Sequence, residues 1–126
     1  MILLDTSALV DCFTGAKKSG TALHRAVDRG EWLQLPAPVL YEWLRGPRLP
    51  EELSYQEALF PIDATLPFGP AEAARAAELY RTLPRARGRE MDLAIAATAL
   101  TWDARLWTLN VEDFKDVPGL VVERPQ

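Results

Sequence analysis

Chemistry in this chain has to come from carboxylates. There is one cysteine, Cys12, and one histidine, His24, which removes disulfides, multi-cysteine metal centres and paired-histidine zinc sites. Ser7 has no histidine near it in sequence, so a serine triad has little support. Four acids stand where they could act. Asp5 directly follows the apolar run Ile2-Leu3-Leu4, Glu42 lies inside an apolar helix, Asp92 opens another, and Asp113 sits in a turn after Leu106-Trp107-Thr108-Leu109. Carboxylates gathered in one pocket repel one another unless a divalent cation shares it. Oxygen-only ligands favour a hard ion, Mg2+ or Mn2+, over zinc. Such a cation lowers the pKa of a bound water and neutralises charge growing on a phosphate, which suits phosphodiester hydrolysis and needs no histidine.

The net charge of −4 provides no overall positive field for a polyanion, so contact with nucleic acid must be local or metal-assisted. Without Asp5, Glu42, Asp92 and Asp113, 14 acids face 14 bases, and the whole negative excess can sit in the site. Arginines 81, 85, 87 and 89 lie just before Asp92. Two readings stand for them: a loop in which Arg85, Arg87 and Arg89 contact phosphate, or an exposed loop with solvated charges. Arg45 and Arg48 are weaker candidates of the same kind. Each acid taken singly also has a plain explanation. Thr6 and Ser7 can cap the first helix without Asp5, the helix dipole favours Asp92 at a helix start, Asn110 can close a turn, and Asp113 and Asp116 can be surface acids.

Positioning these groups takes strands alternating with helices. Ile2–Leu4 reads as a buried strand, followed by a helix from Ala8 towards Gly15 and a second over about 17–28, stopped by Gly30. Trp32–Leu35 is a second strand, and Pro38 opens a helix carrying Glu42 until Gly46-Pro47 breaks it. A helical stretch over 50–59 leads to a short third strand at Phe60–Asp63, and an alanine-rich helix runs from Pro70 to before Pro84. The apolar segment Asp92–Trp102 is a central buried helix, with strands at Leu106–Leu109 and Leu120–Val122 after it. That alternation predicts an α/β fold, a parallel sheet covered on both faces, with ligands beyond the strands' carboxyl ends. At 126 residues, 48% hydrophobic and 25% charged, the chain is expected to form one domain, 1–126. There is no basic leader and no apolar stretch near the ~18 residues of a membrane span, so the expected location is the cytoplasm.

Four separated segments, MILLDTSALVDCF, LPAPVLYEWLRGP, EMDLAIAATAL and LWTLNVEDFKDVPGL, resemble in order and spacing the motifs of PIN-domain ribonucleases of the VapC toxin type. The resemblance spans nearly the full chain. It implies a three-layer α/β/α fold with a central parallel sheet, and an acidic Mg2+-dependent endoribonuclease site in which Mn2+ can substitute. Asp5 matches the first-motif metal aspartate, Glu42 the second-motif glutamate and Asp92 the third-motif metal aspartate. Asn110 and Asp113 match the fourth motif, while Thr6 and Ser7 match the hydroxyls that orient the first aspartate or touch substrate. The loop before Asp92 is tighter than in many members, with Glu90 either adding to the acidic pocket or capping the helix. Also implied are an RNA substrate, a cognate antitoxin lying across the site and a homodimer. The apolar residues Trp43, Leu44 and Leu49 near the second motif could line a partner groove or belong to the core. Two other readings remain: a non-catalytic RNA-binding or protein-interaction module of the same fold, and a phosphoryl acceptor at Asp5.

Overall fold

The computed structural model describes residues 1–126, and its secondary structure follows the alternation expected. Strand β1 (Ile2–Leu4) leads into α1 (Thr6–Phe13) and α2 (Gly20–Asp28), then β2 (Leu33–Gln34), α3 (Ala37–Arg45) and α4 (Pro50–Leu59). A short 3-10 turn at Ile62–Ala64 precedes α5 (Pro70–Thr82) and α6 (Glu90–Thr101). The chain closes with β3 (Arg105–Trp107), a 3-10 turn at Val111–Phe114 and β4 (Val122–Glu123). The sheet order is β2-β1-β3-β4 and every pairing is parallel. Ile2, Leu3 and Leu4 are fully buried, which requires helices on both faces of the central strand and makes the three-layer α/β/α arrangement. No helix is long and apolar enough to cross a membrane.

The topology itself selects a site. From β1 the chain goes to β2 on one side, then returns past β1 to β3 on the other. The crevice between the carboxyl ends of β1 and β3 is therefore the switch point at which parallel α/β sheets bind ligands. Asp5 and Thr108 are the residues that follow those two ends, and the Asp5 amide donates to the Trp107 carbonyl at 2.8 Å.

Three local expectations need correcting. Phe60–Asp63 is not a strand: Phe60 ends α4, its ring packed edge-on against Phe13 at 6.3 Å, and Ile62 is half exposed where a buried strand would hide it. The sheet edge is extended instead by one parallel bridge between Pro36 and Leu66. The cap of α1 is Asp5 and neither Thr6 nor Ser7, because both hydroxyls are engaged elsewhere while Asp5 accepts from the Thr6 amide. The second helix starts at Gly20, since Lys17 takes a left-handed conformation with φ 52° that a helix cannot continue through.

Trp43 is core, at 0% exposure, meeting Phe13 edge-on at 6.0 Å, whereas Leu44 and Leu49 are exposed. Arg48 is folded onto the Trp43 ring at 4.1 Å and donates its Nε to the Trp43 carbonyl, which takes it out of the set of free cations. Cys12 is also buried, and burial pushes its thiol pKa up to about 12. Since the thiolate is the reactive form, Cys12 is expected to resist a thiol-specific reagent in native buffer and to react within minutes in denaturant. Rapid labelling of the native protein would contradict the packing around α1.

Candidate active site

Asp5 is the centre of a hydrogen-bonded seam that joins the start of α1 to the end of β3. It is 5% exposed; Oδ1 accepts from the Thr6 amide at 2.7 Å, and Oδ2 accepts the Thr108 hydroxyl at 2.6 Å and the Ser7 hydroxyl at 3.0 Å. Ser7 Oγ in turn accepts from the Leu109 amide and Thr108 Oγ1 from the Asn110 amide, each at 3.0 Å. Burial raises the Asp5 pKa, and the Thr108, Ser7 and Thr6 donors pull it partway back by stabilising the carboxylate. Glu42, on α3, is reached through Thr6, whose hydroxyl donates to Glu42 Oε1 at 2.5 Å. Its other oxygen faces Arg45 at 3.5 Å, on the exposed side of the helix.

Asp92 lies in the first turn of α6, half-buried, with its pKa pushed up to about 6. Burial is the largest cause, followed by the charges of Asp5, Asp113 and Glu42, with Arg89 opposing them. The charges of the other three acids named from the sequence thus all act on Asp92. Asp113 sits exposed in the 3-10 turn at Val111–Phe114, its amide bonded to the carbonyl of Asn110, which begins that turn. Glu90 is exposed and accepts from the Gly88 amide at 3.2 Å, so it finishes the loop before α6 and does not enter the pocket.

The arginines divide. Arg89 makes a two-pronged pair with Asp116, at 2.8 and 2.7 Å, and donates to the Asp113 carbonyl at 2.9 Å. These contacts hold the Asp116 carboxyl below the usual range. Arg85 lines a cleft with Pro84, Arg89, Glu112, Asp113, Lys115 and Asp116, while Arg87 is exposed outside it. Two left-handed residues, Arg85 at φ 54° and Gly88 at φ 87°, fold the tight loop so that Ala86 is buried between them. Thr108 is the residue that sequence reasoning passed over. Its place at the end of an apolar strand run, two residues before Asn110, was the available signal.

No three of the acids converge as a ready-made metal cage. Both Asp5 oxygens accept protein donors, and Thr6 bridges Asp5 to Glu42, its amide on the one and its hydroxyl on the other. The donor set is all carboxylate and hydroxyl oxygen, which fits a hard divalent cation that keeps several waters and takes one or two carboxylates directly, as Mg2+ does.

The sequence matches the PIN domain family over residues 2–120. The chain belongs to the PIN-domain family. Among curated relatives, this PIN domain is 34% identical to Ribonuclease VapC19 of Mycobacterium tuberculosis over 123 residues, 95% of this chain and 97% of the relative. It is 40% identical to Ribonuclease VapC of Rickettsia bellii over 72 residues, covering 56% of this chain and 52% of that one. Its fold matches a toxin-antitoxin complex from Klebsiella pneumoniae with a TM-score of 0.72 at 25% identity, covering 100% and 98% of the two chains. It also matches DNA-bound VapBC from Salmonella typhimurium with a TM-score of 0.73 at 20% identity, covering 99% and 98%.

Proposed function

We propose that this PIN domain is a divalent-metal-dependent endoribonuclease, the toxin of a VapC-type toxin–antitoxin pair. The observation that carries the reading is the setting of Asp92 near the switch point of the sheet, where burial and then the charges of Asp5, Asp113 and Glu42 push its pKa up to about 6. A carboxylate cluster that costs free energy by itself is stabilised when a cation shares it. Asp5 and Asp92 would hold the ion, with Asp113 and Glu42 completing the negative surround. The chemistry a bound Mg2+ or Mn2+ supplies is charge neutralisation at the scissile phosphate and a water of lowered pKa.

The chain's own groups do the rest. Ser7 and Thr108 fix the Asp5 carboxyl so that it presents one geometry to a ligand, and Thr6 does the same for Glu42. Asn110, Arg85 and Arg87, all exposed, would meet the RNA backbone. In the reaction water forms a new P–O bond as an ester P–O bond breaks, and the leaving oxygen takes up a proton. A cognate antitoxin covering the acidic site follows from the same reading, supported by the toxin–antitoxin complex among the structural matches, and a homodimer and a cytoplasmic location belong to the same proposal.

The test is cleavage of a panel of transfer RNA, ribosomal RNA and a hairpin, with Mg2+ or Mn2+ against EDTA. Fragments that need metal and vanish in Asp5→Asn are the expected result. RNA binding with no metal-dependent turnover would replace this reading with a non-catalytic module of the same fold.

A further inference from the structure

Asp116 lies outside the four acids, yet it holds the most completely bonded arginine in the molecule. Arg89 leaves the loop just before α6, three residues from Asp92, and its guanidinium reaches the turn that carries Asp113. One prong bonds Asp116 Oδ2 at 2.8 Å, and the other bonds both Asp116 Oδ1 at 2.7 Å and the Asp113 carbonyl at 2.9 Å. The fork geometry of an arginine on a carboxylate fixes orientation as well as distance, which a lysine cannot do. The loop behind it is built to present this side chain, with Ala86 buried and the Arg89 amide bonded to the Ala86 carbonyl at 2.9 Å.

We propose that Asp116 is a positioning residue that sets the Arg89 fork so that it ties the Asp113 turn to the mouth of α6, fixing the spacing between Asp113 and Asp92. This rests on the reading of Asp92 and Asp113 as parts of one cation site. Without Asp116, Arg89 keeps only its single bond to the Asp113 carbonyl and loses the fork that orients it, and the turn is then anchored chiefly by buried Phe114. Partners that orient metal-binding groups from behind commonly contribute about 10-fold or more to affinity or activity.

The experiment measures Mn2+ binding directly, by loss of the free-ion electron paramagnetic resonance signal, alongside steady-state RNA cleavage. In Asp116→Asn the Mn2+ dissociation constant should rise about 10-fold and kcat should fall by a similar factor, with KM for RNA within about twofold of wild type. Arg89→Lys should do the same, because one ammonium cannot span both partners. Asp116→Glu, which keeps the carboxylate, should recover most of the binding. Unchanged Mn2+ affinity in Asp116→Asn would overturn the proposal. So would a lower KM with unchanged Mn2+ affinity, since Arg89 would then be a substrate contact that Asp116 masks. Asp92→Asn separates the two levels: if it binds Mn2+ and cleaves RNA like the wild type, the cation-site reading itself fails.

Discussion

Replacing Asp92 with asparagine is expected to cut metal-dependent RNA cleavage about a thousandfold and, in EDTA at neutral pH, to make the protein more stable than the wild type. The first effect follows from losing a charge whose work with the cation is worth several kcal/mol in the transition state. The second follows from the price of keeping Asp92 ionised beside Asp5, Asp113 and Glu42 in a half-buried position. Its pKa rises from 3.8 to about 6. Between those values the native state holds a proton that the unfolded chain has released. Stability from this group is therefore fully present below the lower value and is lost as pH climbs through about 6. Two units correspond to about 3 kcal/mol at most, and solvent screening at a half-exposed carboxyl leaves about 1 kcal/mol. In a chain of this size that is roughly 4 °C in unfolding temperature. Thermal melts in EDTA should show the variant above the wild type at neutral pH and the two converging towards pH ~4. Adding Mn2+ should raise the wild type and leave Asp92→Asn nearly unmoved. A variant less stable than the wild type at neutral pH would mean that the charge is solvated and not strained.

Asp5 and Asp92 stand out in the sequence because each belongs to a local pattern, an acid at the end of an apolar strand run and one at the start of an apolar helix. Glu42 inside its helix and Asp113 in its turn carry no such mark and stand out only as part of a group. The parallel sheet was legible for the same reason, since β1 and β3 sit inside continuous apolar runs. What joins the acids could not be read locally. The Thr108 hydroxyl meets Asp5 across 103 residues, and Thr6 meets Glu42 across 36. Such contacts depend on strand order, which chain pattern alone does not specify. The misplaced strand at Phe60–Asp63 has the opposite origin. Phe60 and Ile62 are apolar enough for a strand, but one ring was claimed by the aromatic cluster around Phe13, and Pro61 cannot donate to a ladder. Arg89 also shows the limit of composition. Four arginines before Asp92 look like one basic loop, yet folding spends Arg89 on Asp116 and the Asp113 carbonyl and leaves Arg85 and Arg87 to solvent.

Thr108→Val tests whether the seam around Asp5 acts through its hydrogen bonds or only through packing. Valine keeps the shape of threonine at a fully buried position but removes the 2.6 Å donor to Asp5 and the acceptor of the Asn110 amide. A hydrogen bond to a charged group contributes about 1.5–3 kcal/mol, so a loss of about 2 kcal/mol is expected above neutral pH. The Asp5 pKa, already raised by burial, should move further up. An ionised Asp5 suffers from the missing donor while a protonated one suffers far less, so the penalty should be full at high pH and shrink as the pH falls and the carboxyl takes up its proton. Thr108→Ser keeps the hydroxyl and removes a methyl group, which costs about 1 kcal/mol at every pH. In cleavage assays the serine variant should stay close to wild type, whereas the valine variant should lose activity most at the acidic end of the range, where its Asp5 is first to protonate. Equal destabilisation by valine at both ends of the pH range would assign Thr108 to packing alone, and the orientation of Asp5 would then rest on Ser7 and the Thr6 amide.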